Sequence, residues 1–339
     1  MRRMTALVLT CLGLVVLASL AAGCSGGGDS GVLTIYAGRS QTLVHPLLEQ
    51  FSKDTGIRIQ VRYGDGVDLA LGILEEGDNS PADVYYAQDV GALGALKDRG
   101  MLAELPDELL TRVPEAFRSP DGYWVGISGR ARVMVYNTDR INPASLPGSA
   151  LDYVAPEWRS RVGFVPSSDG FPEFVTALRL VRGDEFTRTW LTALKNNNAR
   201  AYANNIAALT AVANGEIDVA YLNHYYLYRF LKERGQGFKA RNYYFENGDL
   251  GGLFVISGAA VLKSSNSKPD AQRFIEYMLS ATAQKYLTDN TYEYPMVSGV
   301  PSGADLPPID RLQVPKIDLS DLTDLRGSLD LMRQAGLLP

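Results

Sequence analysis

The run Tyr221-Leu222-Asn223-His224-Tyr225-Tyr226-Leu227-Tyr228-Arg229-Phe230 puts four tyrosines within ten residues. It starts with the alternation of a strand and continues as a helix, so Asn223 to Tyr226 fall at the strand end and helix start. In α/β sheets, that edge is the usual place for ligands. An ionised phenol is a hard oxygen donor suited to a hard trivalent cation. Free tyrosine loses its proton only near pH 10, so such a cation must displace the proton, and affinity must fall with pH. The competing reading is that these aromatics pack a helix on a sheet, and spacing alone favours packing. Tyr221, Tyr228, Phe230 and His224 read as core or wall on the same ground.

A second segment, Ser167-Ser168-Asp169-Gly170-Phe171-Pro172-Glu173, carries helix-start signals: capping residues, a glycine, a proline near the first turn and an early acid. Free N–H groups at such an end attract anions, although an ordinary capped helix with no ligand reads the same way. Other chemistry is thinly supplied. The chain has two histidines and two cysteines against 18 tyrosines and 11 phenylalanines. Zinc sites, CxxC redox pairs and a disulfide framework are therefore poorly supported. No HExxH, Walker A or GxSxG motif occurs. His45, beside Pro46, reads as a half-exposed structural histidine. Chemistry by carboxylates alone is the enzyme reading that remains, because sequence does not show which acids face each other. Lys and Arg number 33 against 38 acids, a net charge of −5, with no basic stripe for nucleic acid.

The elements that must position these groups alternate. Val32 to Tyr36 reads as a strand, followed by a helix carrying Leu43, Val44, Leu47, Leu48 and Phe51 that stops near Gly56. Ile57 to Tyr63 and Ala82 to Tyr86 read as strands, each followed by a helix. A second block repeats the pattern: strand from Val162, helices Phe171 to Val181 and Phe186 to Leu194, strand from Arg200, helix from Ile206, strand from Ile217 into the helix Tyr225 to Lys232. This rhythm predicts a mostly parallel sheet covered on both faces. Two longer β-rich stretches, Trp124 to Tyr136 and Gly251 to Leu262, read as crossovers between two α/β lobes. A later helix, Pro269 to Leu279, returns to the first lobe.

Arg2 and Arg3 precede an uncharged apolar run from Ala6 to Leu20, a targeting segment. It ends in Leu20-Ala21-Ala22-Gly23-Cys24, which resembles the lipobox of bacterial lipoproteins, where cleavage leaves an acylated cysteine. Residues 1–23 are thus expected to be a signal peptide, Cys24 the lipid anchor and 24–31 a flexible tether. Gly26, Gly28 and Gly31 match GxGxxG, but no strand precedes them, so the dinucleotide reading fails. Cleavage removes Arg2 and Arg3 and takes the charge from −5 to about −7.

The run Asn214-Gly215-Glu216-Ile217-Asp218-Val219-Ala220, leading into the tyrosine string, resembles the signature of ferric-iron-binding proteins of bacterial ABC importers, two-lobed periplasmic binding proteins. The resemblance covers nearly the whole mature chain, through Leu33-Thr34-Ile35-Tyr36, Pro81-Ala82-Asp83-Val84, Ser128 to Tyr136, Tyr202 to Asn205, Ser257 to Lys263 and Glu293-Tyr294-Pro295. It implies that Tyr225 and Tyr226 bind Fe3+ and that carbonate or phosphate completes the coordination as a synergistic anion. It puts Ser168 and Gly170 in the anion loop, with Asn205 and Asn223 as donors and Arg130 as a cationic neighbour. The chain departs from the pattern in two places. A family histidine is matched by Ser40, in Gly38-Arg39-Ser40-Gln41, and a family glutamate by Gln88, beside Asp89. Ser168 also stands where another subgroup has a third tyrosine. Gln88 could lend an amide oxygen, and the sphere is more open, which raises a ferric chelate as a variant cargo.

The resemblance implies an α/β, type II two-lobed fold with the ligand cleft between lobes joined by a β-strand hinge. The lobes are expected to comprise 32–130 plus 256–306, and 131–255 plus 307–339. The expected protein is a monomeric, extracytoplasmic, membrane-anchored lipoprotein that hands ferric iron to an ABC permease. It is not expected to be an enzyme. A small organic anion or thiamine-like cargo, held by Arg39, Arg130 and the tyrosines, is the second reading; a surface hydrolase is the third.

Overall fold

In the computed structural model, which describes residues 31–166, 170–303 and 306–338, the first strand–helix alternation forms as its hydrophobic pattern requires. β1 (Leu33–Ala37), α1 (Gln41–Thr55), β2 (Ile59–Tyr63), α2 (Gly66–Glu76), β3 (Val84–Ala87) and α3 (Val90–Asp98) follow in order. α1 buries Val44, Leu47, Leu48 and Phe51 and stops at Gly56, whose φ of 74° is a left-handed helix cap. After one short turn, α4 (Asp107–Leu110), the chain enters the long strand β4 (Val125–Asn137). The second block is β5 (Val162–Phe164), α5 (Phe171–Asn196), β6 (Arg200–Ala201), α6 (Asn205–Ala213), β7 (Val219–Asn223), α7 (Tyr225–Arg234) and β8 (Ala240–Tyr243). β9 (Phe254–Val261) carries the chain back, and α8 (Lys268–Met278), α9 (Ala281–Thr291), β10 (Tyr294–Pro295) and α10 (Leu325–Gln334) complete it. The signal peptide, Cys24, the tether through residue 30 and Ser168 lie outside the described residues.

The strands form one mixed sheet in the order β2-β1-β3-β9-β4-β7-β5-β6, with β8 and β10 also paired to β4. Parallel pairing holds within each half: β1 with β2 and β3, and β5 with β6 and β7. The two long segments expected to cross between lobes are β4 and β9, and both lie antiparallel to their neighbours. β4 changes partners along its length. Val125 to Ala131 pair with β9, and Arg132 to Asn137 pair with β7 and β8. One strand therefore belongs to both halves, the arrangement of a two-lobed fold with a strand hinge.

One core cluster runs through both halves, from Ile35, Val84, Tyr85, Leu48, Phe51 and Phe274 to Phe164, Phe171 and Trp190; a second, of Val133, Leu209, Val212, Leu222 and Leu227, lies in the second half. α5 contains two helical runs separated at Gly183, which has φ 81° and ψ 165°, so the two helices read from the sequence are the two arms of one broken element. The C-terminal segment also touches both halves. Residues Leu319–Asp321 lie against α3, and α10 packs on α5. Its backbone comes so close to α3 that a Cβ on Gly94 would sit 2.3 Å from the Ser320 carbonyl oxygen. Trp124 Nε1 donates to Ser320 Oγ at 3.1 Å and pins the same turn.

Candidate functional site

β7 runs beside β4 with Asn223 opposite Arg132, and one residue later α7 begins. Tyr225 and Tyr226 are thus the first two helical residues, half-buried, with ring centroids 4.3 Å apart and planes tilted by 30°. The chain cannot slide here, because His224 is fully buried. Its Nδ1 accepts the Ala131 N–H at 3.1 Å, and its Nε2 donates to the Tyr292 carbonyl at 2.7 Å. Burial lowers its pKa to about 4, so the ring is neutral with both nitrogens engaged. It is a wall residue, as are buried Tyr221, Tyr228 and Phe230. His45 on α1 is half-exposed and bonds Tyr63 at 3.0 Å.

Burial pushes the Tyr225 phenol well above the ordinary range; Tyr226 adds to the shift and Arg130 opposes it. Arg229 lies over the Tyr225 ring at 4.8 Å. Tyr225 therefore keeps its proton at neutral pH unless something strongly polarising removes it.

Tyr225 lines a cleft of about 460 Å³. Its walls include Gly38, Arg39 and Ser40 ahead of α1, Asp65 and Gly66 at the start of α2, and Gln88 and Asp89 after β3. Glu173 and Arg229 face them from the other half, and Glu293 lies at the base. Arg39 is 4% exposed. Its Nη2 donates to both Glu293 carboxylate oxygens at 2.9 and 3.0 Å, and its Nη1 to Gln88 Oε1 at 2.9 Å and Ser257 Oγ at 2.7 Å. Burial would raise the Glu293 carboxyl, but Arg39, Arg130 and the Ser128 hydroxyl outweigh it and hold it at about 2. The Gln88 amide oxygen expected near a metal is thus already a hydrogen-bond acceptor. Ser40 sits at the exposed start of α1 with Oγ 3.0 Å from Thr42 Oγ1. Asp89 caps α3, accepting the Ala92 N–H at 3.2 Å.

The expected anion donors divide. Gly170, with φ 107°, caps α5 and packs directly on Arg132: a Cβ there would lie 2.5 Å from Arg132 Nη1. Arg132 in turn donates to Asn223 Oδ1 and the Tyr221 carbonyl, each at 3.0 Å. Gly170, Arg132 and Asn223 therefore form one group. Arg130 turns elsewhere, donating through Nη2 to the Gln88 carbonyl. Asn205 opens α6, 3% exposed, with Oδ1 lacking a hydrogen-bond partner among the described residues. Arg132 and Glu293 are the residues that sequence reading left without a role. Ser128, Arg130 and Arg132 alternate on one strand and so share a face, which was a signal for Arg132. Nothing local points to Glu293. Among the described residues no group of three or more His, Cys, Asp or Glu could hold a metal ion.

A mixed sheet in two halves, joined by the shared strand β4 and opening on a cleft of convergent polar groups, defines a two-lobed solute-binding protein. The sequence agrees: the chain belongs to the family of bacterial extracellular solute-binding proteins, whose model matches residues 79–320. It is 36% identical over 311 residues to the major ferric iron-binding protein of Neisseria meningitidis serogroup A, covering 90% of this chain and 93% of that one. It is 35% identical to the Fe(3+)-binding periplasmic protein of Serratia marcescens, covering 91% of each. Among solved structures, iron-bound HitA from Pseudomonas aeruginosa superposes with a TM-score of 0.79 at 40% identity, covering 90% and 99% of the two chains. Trichodesmium IdiA (FutA) with iron and citrate ligands gives 0.80 at 30% identity, covering 90% and 99%. These relatives are binding proteins, and this chain is a binding protein rather than an enzyme. Among the described residues no helix is long and apolar enough to cross a membrane.

Proposed function

We propose that this protein captures ferric iron in the cleft through Tyr225 and Tyr226. The observation that carries the reading is the pair of phenol rings, 4.3 Å apart at the first turn of α7, with Tyr225 lining the cleft, in a family whose relatives are named for ferric iron. Charge supports it. In and behind the cleft wall, Arg39, Arg130, Arg132 and Arg229 are balanced by Glu293, Glu173, Asp89 and Asp65. Two phenolates make the site doubly negative, and Fe3+ then leaves one positive charge for an anion to neutralise. Carbonate or phosphate fits that role, with Gly170 and Asn223 beside Arg132 as its seat, Ser168 and Asn205 as further donors, and Arg130 as the nearby cation. Gln88, Ser40 and Asp89 complete the opposite wall.

In this account residues 32–130 plus 256–306 form one lobe and 131–255 plus 307–339 the other. The ligand favours closure because only the closed form contacts it from both sides. A monomer anchored by acylated Cys24 outside the cytoplasm then presents iron to an ABC permease. The cleft volume favours a second cargo, a ferric chelate larger than the bare ion. Native mass spectrometry of the protein as isolated, and after ferric salt with bicarbonate, tests the reading. An iron adduct is expected, with or without chelator mass; an organic mass with no iron would overturn it.

A further inference from the structure

The seat for an exogenous anion is contested by a carboxylate of the chain itself. Glu173 stands in the first turn of α5, 8% exposed, and its Oε2 accepts the Gly170 N–H. That N–H is the donor a bound anion would use at the start of a 26-residue element. Arg132 closes the other side. It is 1% exposed and packed on Gly170, and its Nε has no hydrogen-bond partner among the described residues. Glu173 and Tyr225 both act electrostatically on Arg132, and both line the cleft.

We propose that Glu173 controls the anion requirement of this protein: its carboxylate competes with a free oxyanion for the Gly170 N–H and for the field of Arg132. The proposal rests on the reading of the cleft as an iron–anion site and names the residue that sets its anion affinity. An entering carbonate or phosphate must push the carboxylate off the helix end or share it against like-charge repulsion. The iron-free protein therefore holds oxyanions weakly. Binding becomes favourable when Fe3+ on the phenolates adds positive charge to the seat.

The test is calorimetric titration of inorganic phosphate into the iron-free full-length protein and its Glu173→Gln variant. Glutamine keeps an oxygen that can accept the Gly170 N–H and removes the charge. Phosphate is expected to bind the variant at least about tenfold more tightly. Glu173→Ala, which frees the N–H altogether, should move the same way and serves if the first variant folds poorly. Equal or weaker phosphate binding in the variants, or none in any of the proteins, would overturn the proposal. A residue that merely capped the helix would change the melting temperature and leave phosphate affinity unmoved. Ferric titration of the same samples reports the tyrosine site separately, so failure of the iron reading and failure of the Glu173 role give different results.

Discussion

A buried guanidinium is tolerable only where its charge is matched and its donors are filled. For Arg39, Glu293 matches the charge, and Glu293, Gln88 and Ser257 take up both Nη groups, while Nε has no hydrogen-bond partner among the described residues. Glu293→Gln leaves the charge buried with neutral partners and should cost about 3–5 kcal/mol of stability at pH 7, measured by chemical denaturation. The pH dependence follows from the depressed carboxyl, ordinarily near 4.5 and held at about 2. Its contribution is complete above about pH 4.5 and is lost as pH falls toward 2. Stabilities of wild type and Glu293→Gln should therefore converge across that window; a gap that persisted at pH 2 would remove Glu293 from its assigned role. Legibility at this scale tracks distance along the chain. The tyrosine pair and the Glu173 helix start are local, so adjacent residues announce them. Arg39 and Glu293 are 254 positions apart, and no spacing rule joins them. Arg132 stood in a quoted motif, but its role depends on Gly170 and Asn223, brought to it by other elements.

Elements were readable where a hydrophobic period met a stop signal. α1 ends at Gly56, and the two arms of α5 part at Gly183, as their sequences require. β8 was not foreseen: Ala240–Tyr243 is polar and short, and it is a strand because β4 offers it an edge. α9 and α10 were also unannounced, the latter held by the Arg179 ion pair with Asp324 and by Thr176 to Ser328 at 2.7 Å. The expected parallel sheet needed one amendment, the antiparallel pair β4 and β9 at its centre, since strand direction is set by tertiary pairing. The C-terminal turn gives a prediction at this scale. Gly94→Ala places a methyl 2.3 Å from the Ser320 carbonyl oxygen, so the turn must lift from α3. A loss of about 1–3 kcal/mol is expected, with faster hydrogen exchange in residues 319–334; unchanged exchange there would show the contact to be slack.

For the whole molecule, the hinge matters more than any single contact. β4 is continuous through both halves, and the C-terminal segment makes a further crossing between α3 and α5. Such a frame permits rotation of one half against the other while each sheet half stays intact. Small-angle scattering should show a smaller radius of gyration once ferric salt and bicarbonate are added. No change in wild type, with iron bound, would mean that the cleft takes its cargo without closing. The central claim, that the two phenols hold the iron, has a more direct test in the visible spectrum. Ferric salt with bicarbonate should give wild type a phenolate-to-iron charge-transfer band, and Tyr225→Phe combined with Tyr226→Phe should abolish it. A band that survived in the double variant, or that never formed in wild type, would contradict the account.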